Sequence, residues 1–314
     1  MVLMIIGRLL STIPVLASVG VLVFSLLYLT PGDPAVVIAG DNASPQEVEE
    51  LRQSLGLDQP YFVRLVTWGG GILQGDLGLS IITRQPVLDT IAERVAPTVS
   101  LMLVTLLISV AVAIPLGVAA ASRPRSWIDR VVLGATVLGF SVPVFVVGYI
   151  VAYMFGLYLS WLPVQGYRPI SDGVWQFLQH MILPAIALSF PYIALIARMT
   201  RATMLEVLSQ DYIRTARAKG VSRSAELYQH ALGNAAVPIV TVVGLGVASL
   251  LGGAVVTESV FAIPGLGRLT IEAILRRDYP LIQGVVLFFA MIYVLINLII
   301  DLSYTILDPR IRKG

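Results

Sequence analysis

The chain has 314 residues, 57% of them hydrophobic and 13% charged, with a formal net charge of +2 and no cysteine. A soluble domain carries about 25% charge, so this chain lacks the polar surface of a soluble globule, and its low charge also excludes a disordered one. Without cysteine there are no disulfides, thiolate metal sites or cysteine nucleophiles, and a near-balanced charge with no basic run argues against nucleic acid as a partner.

An integral membrane protein is expected, and six apolar stretches have about the 20 residues that a bilayer requires. The first, residues 9–29, is longer than the apolar core of a signal peptide. No cleavage site follows it, so it is read as a retained span.

Residues 30–98 are too many for a connector and read as a folded insert. Ser44-Pro45-Gln46-Glu47 has the form of a capping box with proline at the first helical position. Gly56 is placed to stop that helix. Pro60 opens a second helix carrying Phe62, Leu65, Val66, Trp68, Ile72 and Leu73, which Gly69-Gly70-Gly71 should weaken or kink. Its apolar side suits a membrane surface. Pro86 opens a third helical stretch that feeds the second span, residues 99–121. The insert is either a structural cap over the helix ends or a docking surface for an outside partner.

The third span is residues 131–159 and the fourth residues 181–197. The fourth is short and holds Pro184 and Pro191, which membrane helices tolerate where neighbours satisfy the freed carbonyls. A re-entrant segment is the alternative there. The following loop, 199–234, is basic. Ser209 or Asp211 is placed to cap a short helix, and Gly220 to end it in the left-handed conformation. Tyr212, Ala216 and Lys219 share one face of that helix, and Ser222 caps a further one. The loop is either a surface that a partner grips or a solvated, positive-inside connector. The fifth span is 235–256 and the sixth 281–300.

Thirteen of the 21 Lys and Arg residues fall on the shorter segments that lie inside if the N-terminus is inside. The positive-inside rule then places both termini in the cytoplasm. The span interiors carry essentially no ionisable residue, since Arg198, Glu258 and Asp301 stand at span ends. That disfavours a proton-coupled carrier. No metalloprotease, serine or paired-aspartate set occurs in the spans, which disfavours an intramembrane enzyme. There is no P-loop either, and neither Lys219 nor Lys313 follows a glycine.

Small residues recur every four positions in three spans: Ser109, Ala113, Gly117 and Ala121; Gly148, Ala152 and Gly156; Gly244, Ala248 and Gly252. Such faces let backbones approach closely in lipid, within this chain or against a second one. Six helices make a thin wall for a hydrophilic path, and a second subunit would supply the other wall.

Asp211-Tyr-Ile-Arg-Thr-Ala-Arg-Ala-Lys-Gly-Val-Ser222 resembles the coupling loop of ATP-binding-cassette (ABC) importer permeases, in the version of the peptide/nickel (dipeptide/oligopeptide permease) branch. The broader signature opens with Glu-Ala-Ala; here Arg214, Thr215 and Ala216 stand in those places, a departure usual in this branch. Val237-Pro238 stands where the signature ends in Leu-Pro, at longer spacing. Five further strings agree in order: TPGDPA (30–35), GDLGLSIITRQPVLDTIAERVAPTVSL (75–101), WLPVQGY (161–167), ESVFAIPGLGRLTIEAILRRDYPLIQG (258–284) and LDPRIR (307–312). Together they are similar to the first permease of the pair.

The resemblance implies an all-α membrane protein with six transmembrane helices in the type I ABC-importer fold. Residues 1–97 would hold the first helix and the extracytoplasmic insert, 98–304 the permease core, and 305–314 a cytoplasmic tail. The chain would be half of a translocation path in the bacterial inner membrane, for di- or oligopeptides or a related solute such as a nickel chelate. A passive channel or secondary carrier is the alternative. Implied partners are a second homologous permease, two cytoplasmic ABC ATPases, an extracytoplasmic solute-binding protein and membrane lipid. ATP and magnesium would belong to the ATPases, so this chain would be no enzyme and hold no cofactor. Carried over by position, Asp211, Arg214, Ala216, Lys219 and Gly220 would form the ATPase contact. Ser141, Thr241, Ser249 and Glu258 are candidates for the substrate path because they are polar on or beside spans, or else they are packing groups. Pro264, Gly265, Gly267 and Arg268 form either a gating or binding-protein loop or a structural turn.

Overall fold

The computed structural model describes residues 2–29, 34–40, 43–54 and 56–307. The tail at 308–314 and most of the TPGDPA string lie outside them. The described backbone is helical, with one isolated antiparallel bridge, Leu79 to Pro86. It divides into two compact units, one from residues 1–95 and 269–294, the other from 96–268 and 295–314.

The first unit begins with α1 (Val2–Leu29), α2 (Pro34–Ala39), α3 (Pro45–Ser54) and α4 (Tyr61–Leu73). The capping box forms: the Ser44 N–H donates to Glu47 Oε2 at 2.8 Å, and the Glu47 N–H returns to Ser44 Oγ at 3.3 Å. The Ser44 backbone N–H is the main reason the Glu47 carboxyl lies below its ordinary range. Gly56, at φ +60°, ends α3. α4 runs unbroken through Gly69–Gly71, so the triple glycine does not break it. An aromatic seam explains this: Phe24 of α1 packs at 5.5 Å from Tyr61 and 5.2 Å from Trp68, and Ser25 bonds the Tyr61 hydroxyl at 2.7 Å. Tertiary packing of one face outweighs the propensity cost of the glycines.

α5 (Val87–Ser122) is a single 36-residue helix, so the stretch that opens after Pro86 and the second span are one element. The loop before it is held by Asp278. That carboxylate accepts from the Ser80 hydroxyl at 2.5 Å and the Ile81 N–H at 3.2 Å.

In the second unit, α6 (Trp127–Ser141) and α7 (Val144–Val151) replace the single third span. The pair bends by 104°. Pro143 explains the bend, because it forces the residue before it out of the helical region. Val142 is extended, at φ −92° and ψ 121°. α7 continues as a π-helical segment, Ala152–Tyr158. α8 (Val174–Leu208) runs for 35 residues through Pro184 and Pro191, so the fourth stretch is part of a long helix and no re-entrant loop. α9 (Asp211–Ala218) and α10 (Arg223–Ala225) follow, then a π-helical segment, Glu226–Ala231, and α11 (Leu232–Val260). α12 (Leu266–Leu275) and α13 (Tyr279–Leu307) close the chain.

Among the described residues, four helices are long and apolar enough to cross a membrane, and the bent pair makes a fifth if it is one span. Within α1, Leu10–Ser25 forms a shorter apolar segment. α8 lies at the centre of the second unit. A Cβ on Gly117 would meet the Thr200 Cβ at 2.5 Å, and one on Gly139 the Ala194 Cβ at 2.5 Å. The second-span ladder therefore packs inside this chain, its glycine seated against α8. The fifth-span ladder is split. A Cβ on Gly244 would meet Ile300 at 2.6 Å, whereas one on Gly252 would meet nothing within 4 Å.

Candidate functional site

α9 is one short amphipathic helix presented on the surface. Its single buried residue is Ile213. That side chain enters a cluster of Val118 and Ala121 from α5, Met204 from α8, Leu227 and Ala231 from the π-helical segment, and Ala235 and Ile239 from α11. One apolar residue thus docks the helix onto the ends of three long ones, and burying it contributes about 1.5–3 kcal/mol.

Both ends of α9 are set by backbone chemistry. Gln210 precedes it in extended conformation and makes no side-chain cap. The expected caps are corrected accordingly: Ser209 donates to the Glu206 carbonyl at 2.7 Å, closing α8, and Asp211 is the first helical residue. The C-terminal expectation holds. Gly220 has φ +80°. Its N–H donates to the Arg217 carbonyl at 3.0 Å, and the Val221 N–H to the Ala216 carbonyl at 3.3 Å. This pair is a Schellman motif, which needs the left-handed residue that glycine supplies. Ser222 caps α10 as expected, accepting from the Ala225 N–H at 3.3 Å.

A buried carboxylate ties the helix in place. Glu226, 2% exposed at its side chain, accepts from Arg217 and from Arg223. The Arg217 bonds are 2.7 and 3.2 Å, and the Arg223 bond is 2.6 Å. Arg223 also donates to the Ser122 carbonyl at 2.9 Å, at the end of α5. The bond to Glu226 raises the Arg217 guanidinium above its ordinary range. A second pair lies nearby in the chain's basic segments: Arg201 of α8 holds Asp129 of α6 with two nitrogens, one at 2.9 Å. Breaking such a buried pair on one side strands a charge, which gives these links their structural weight.

The residues expected at the contact are placed as follows. Asp211 and Arg214 are exposed and pair with each other at 3.3 Å. Tyr212 is exposed, Ala216 half-buried, and Lys219 and Gly220 exposed. A bare surface of one acid, several cations and a terminal glycine therefore stands on a firmly anchored base. Ile213, Arg217, Arg223 and Glu226 were not among the expected site residues. One clue was available, since Glu226 is one of only three acids in the basic loop 199–234.

The residues expected on a path are scattered. Ser141, Thr241 and Ser249 donate to the carbonyls of Val137, Val237 and Leu245, each four residues back in its own helix. Glu258 is fully buried. It accepts from the Thr98 hydroxyl at 2.6 Å and from the Arg268 N–H at 3.0 Å, and Thr98 accepts from the Leu266 N–H at 2.8 Å. The Pro264–Arg268 turn therefore wraps a carboxylate. Gly265 and Gly267 are buried, and a Cβ on Gly265 would collide with the Glu258 carboxylate. These bonds give each of the four polar side chains a partner within the chain.

Two family models match the chain. "Binding-prot-dependent transport system membrane comp, N-term" covers residues 1–102, and "Binding-protein-dependent transport system inner membrane component" covers residues 113–313. The chain belongs to the binding-protein-dependent transport system inner membrane component family. Among similar proteins is a probable peptide ABC transporter permease protein of Sinorhizobium fredii, 52% identical over 98% of both chains. A glutathione transport system permease protein of Escherichia coli is 44% identical over 98% of both. A dipeptide transport system permease protein of Alkalihalophilus pseudofirmus is 41% identical over 97% of this chain and 98% of its own.

Proposed function

We propose that this chain is a permease subunit of an ABC importer for peptides. The observation that carries the reading is α9, a short surface helix anchored by Ile213 and by the Arg217–Glu226 bond to the ends of α5, α8 and α11. A push on such a helix is delivered to three long helices at once. Three full-length relatives named for peptide, dipeptide and glutathione transport supply the substrate class.

In this reading the chain crosses the inner membrane six times, with both termini in the cytoplasm. Residues 98–304 form the core, and the insert after the first span faces outward. A second homologous permease completes the path, two ATPases hold the ATP and magnesium, and a solute-binding protein delivers the peptide. Asp211, Arg214, Ala216, Lys219 and Gly220 meet an ATPase, where arginine and lysine pair with acidic groups. Ser141, Thr241 and Ser249 are left as path candidates at their helix surfaces. Glu258 with Pro264, Gly265, Gly267 and Arg268 acts as one braced turn.

The test is reconstitution in vesicles with the partner subunits. ATP-dependent dipeptide uptake, stimulated by the binding protein and blocked by vanadate, is expected. Flux catalysed by the purified chain alone would refute the reading in favour of a channel or carrier.

A further inference from the structure

The turn between α5 and α6 carries charge that the chain does not use. Arg123, Arg125 and Arg130 are all exposed. None of the three guanidiniums has a hydrogen bond, ion pair or ring contact among the described residues. The backbone that presents them is pinned. The Ser126 N–H donates to the Arg123 carbonyl at 3.2 Å, and the Arg130 N–H to the Ser126 carbonyl at 3.1 Å. The Arg125 N–H donates to Asp129 Oδ2 at 2.8 Å, and that carboxylate is the one held by Arg201 of α8. Arg125 stands at φ +64°, where an L-residue is strained and glycine is not. An arginine thus occupies this position at a conformational cost, and its side chain serves nothing inside the chain.

The helix that follows indicates what these cations meet. α6 buries Asp129, Val132, Thr136 and Gly139. Trp127, Val131 and Leu138 share the opposite face and are 74%, 58% and 57% exposed. In an inner-membrane protein such an apolar face meets acyl chains. It ends in a tryptophan among arginines, residue types that anchor a helix at the bilayer's surface. Clustered cations at that level attract anionic headgroups. An ATPase contact or a free phosphate would account for the arginines alone, not for the apolar face that runs on from them. We propose that Arg123, Arg125 and Arg130, with Trp127 beside them, hold the headgroup of an anionic phospholipid whose acyl chains lie along α6. Guanidinium and phosphate pair through parallel hydrogen bonds. Arg223 donates to the Ser122 carbonyl, so the turn stands at the end of α5 that carries α9. That this end faces the cytoplasmic leaflet rests on the importer reading; the cluster itself does not.

The full chain, purified in detergent, would be titrated with phosphatidylglycerol and with phosphatidylcholine of the same acyl chains, and bound lipid counted by native mass spectrometry. One arginine at an anionic surface is worth roughly fivefold in binding, so phosphatidylglycerol is expected to bind about tenfold more tightly or better. The triple variant Arg123→Gln, Arg125→Gln, Arg130→Gln should bring the two lipids within about twofold of each other. A control with Arg84→Gln, Arg276→Gln and Arg277→Gln, which removes as many exposed charges elsewhere, should keep the preference. Arg125→Gly removes one guanidinium and relieves the backbone. It should weaken phosphatidylglycerol roughly fivefold while the lipid-free melting temperature holds or rises. No preference in the parent chain, a preference lost equally in the control, or undiminished binding by Arg125→Gly overturns the proposal. So does displacement of the lipid by equimolar inorganic phosphate, which marks a plain anion site. A triple variant that keeps the preference but no longer pulls down its ATPase assigns the turn to the ATPase instead. Peptide uptake by the assembled importer without a lipid preference sinks this site alone; a lipid preference without peptide uptake sinks the importer reading alone.

Discussion

Arg217 reaches Glu226 through two nitrogens, at 2.7 and 3.2 Å, and so closes a bracket between the exposed helix α9 and the segment that leads into α11. Glu226 is shared with Arg223, but the two arginines are not equivalent. Arg223 braces the end of α5, whereas Arg217 alone belongs to the helix that would be pushed.

Glu226→Ala removes the acceptor that two half-exposed guanidiniums share, while Arg223 keeps the Ser122 carbonyl, and is expected to destabilise the chain by about 1–3 kcal/mol. Arg217→Ala leaves Arg223 on the carboxylate and should cost about 1–3 kcal/mol. In the assembled importer, Arg217→Ala should retain basal ATP hydrolysis and lose most of its linkage to uptake. Thermal unfolding and uptake per ATP, measured on both variants, check this. Equal, full coupling in Arg217→Ala would remove the bracket from the mechanism.

Gly220 stands at φ +80° with open space around it. Its requirement is conformational, not steric. Gly220→Ala should therefore cost about 1–2 kcal/mol, Gly220→Asn less, and Gly220→Pro most. A bulky residue at Ala216 tests the exposed surface instead of the cap. Both Gly220→Pro and Ala216→Trp are expected to reach the membrane and to lose transport-linked ATPase activity. Unchanged activity in the two would rule out α9 as the contact.

Gly244 and Gly252 look alike in sequence but not in packing. Gly244→Val drives a side chain into Ile300 and should cost about 1–3 kcal/mol. At Gly252 an added Cβ meets nothing within 4 Å among the described residues, and Gly252→Val should stay within about 0.5 kcal/mol of the parent. Melting temperatures of the purified variants decide it, and a reversed order contradicts the described packing.

Gly265→Ala places a methyl group against the Glu258 carboxylate. Thr98→Val removes the hydroxyl between Glu258 and the Leu266 N–H, at a cost of about 1–3 kcal/mol for the stranded groups. Both should increase protease cleavage near residues 262–268. Resistance equal to that of the parent chain would show that the turn does not depend on this bracing.

The Glu47 carboxyl is held below the ordinary glutamate value of 4.5, chiefly by the Ser44 N–H. A depressed value means that the cap's contribution is present above pH 4.5 and is lost as pH falls through the folded value. Amide protection of residues 45–54, corrected for intrinsic exchange, should fall in that acidic window. In Glu47→Gln the protection should no longer respond to pH there.

Local chemistry was legible. Ser44 with Glu47, Gly56, Gly220 and Ser222 all lie within a few residues of the groups they satisfy, so their roles follow from spacing. Partners far along the chain were not: Asp129 finds Arg201, and Glu258 finds Thr98, at separations of 72 and 160 residues. Only the packing of helices can bring those together. The bend at Val142 was written in the Pro143 that follows it, but an unbroken apolar run hid it. The triple glycine misled in the opposite direction, because the ring of Phe24 holds α4 together from outside.

Ile213 gives the last point. It is the one buried side chain of α9, so beside the Arg217–Glu226 bond the helix hangs from a single apolar peg, and Tyr212, Arg214 and Lys219 point away from the core. On the proposed reading, in which α9 meets an ATPase, evolution can rewrite those outward residues to suit a different one without disturbing how the long helices fold. Compatibility between subunits becomes a trait that a lineage can change separately from stability, one surface substitution at a time.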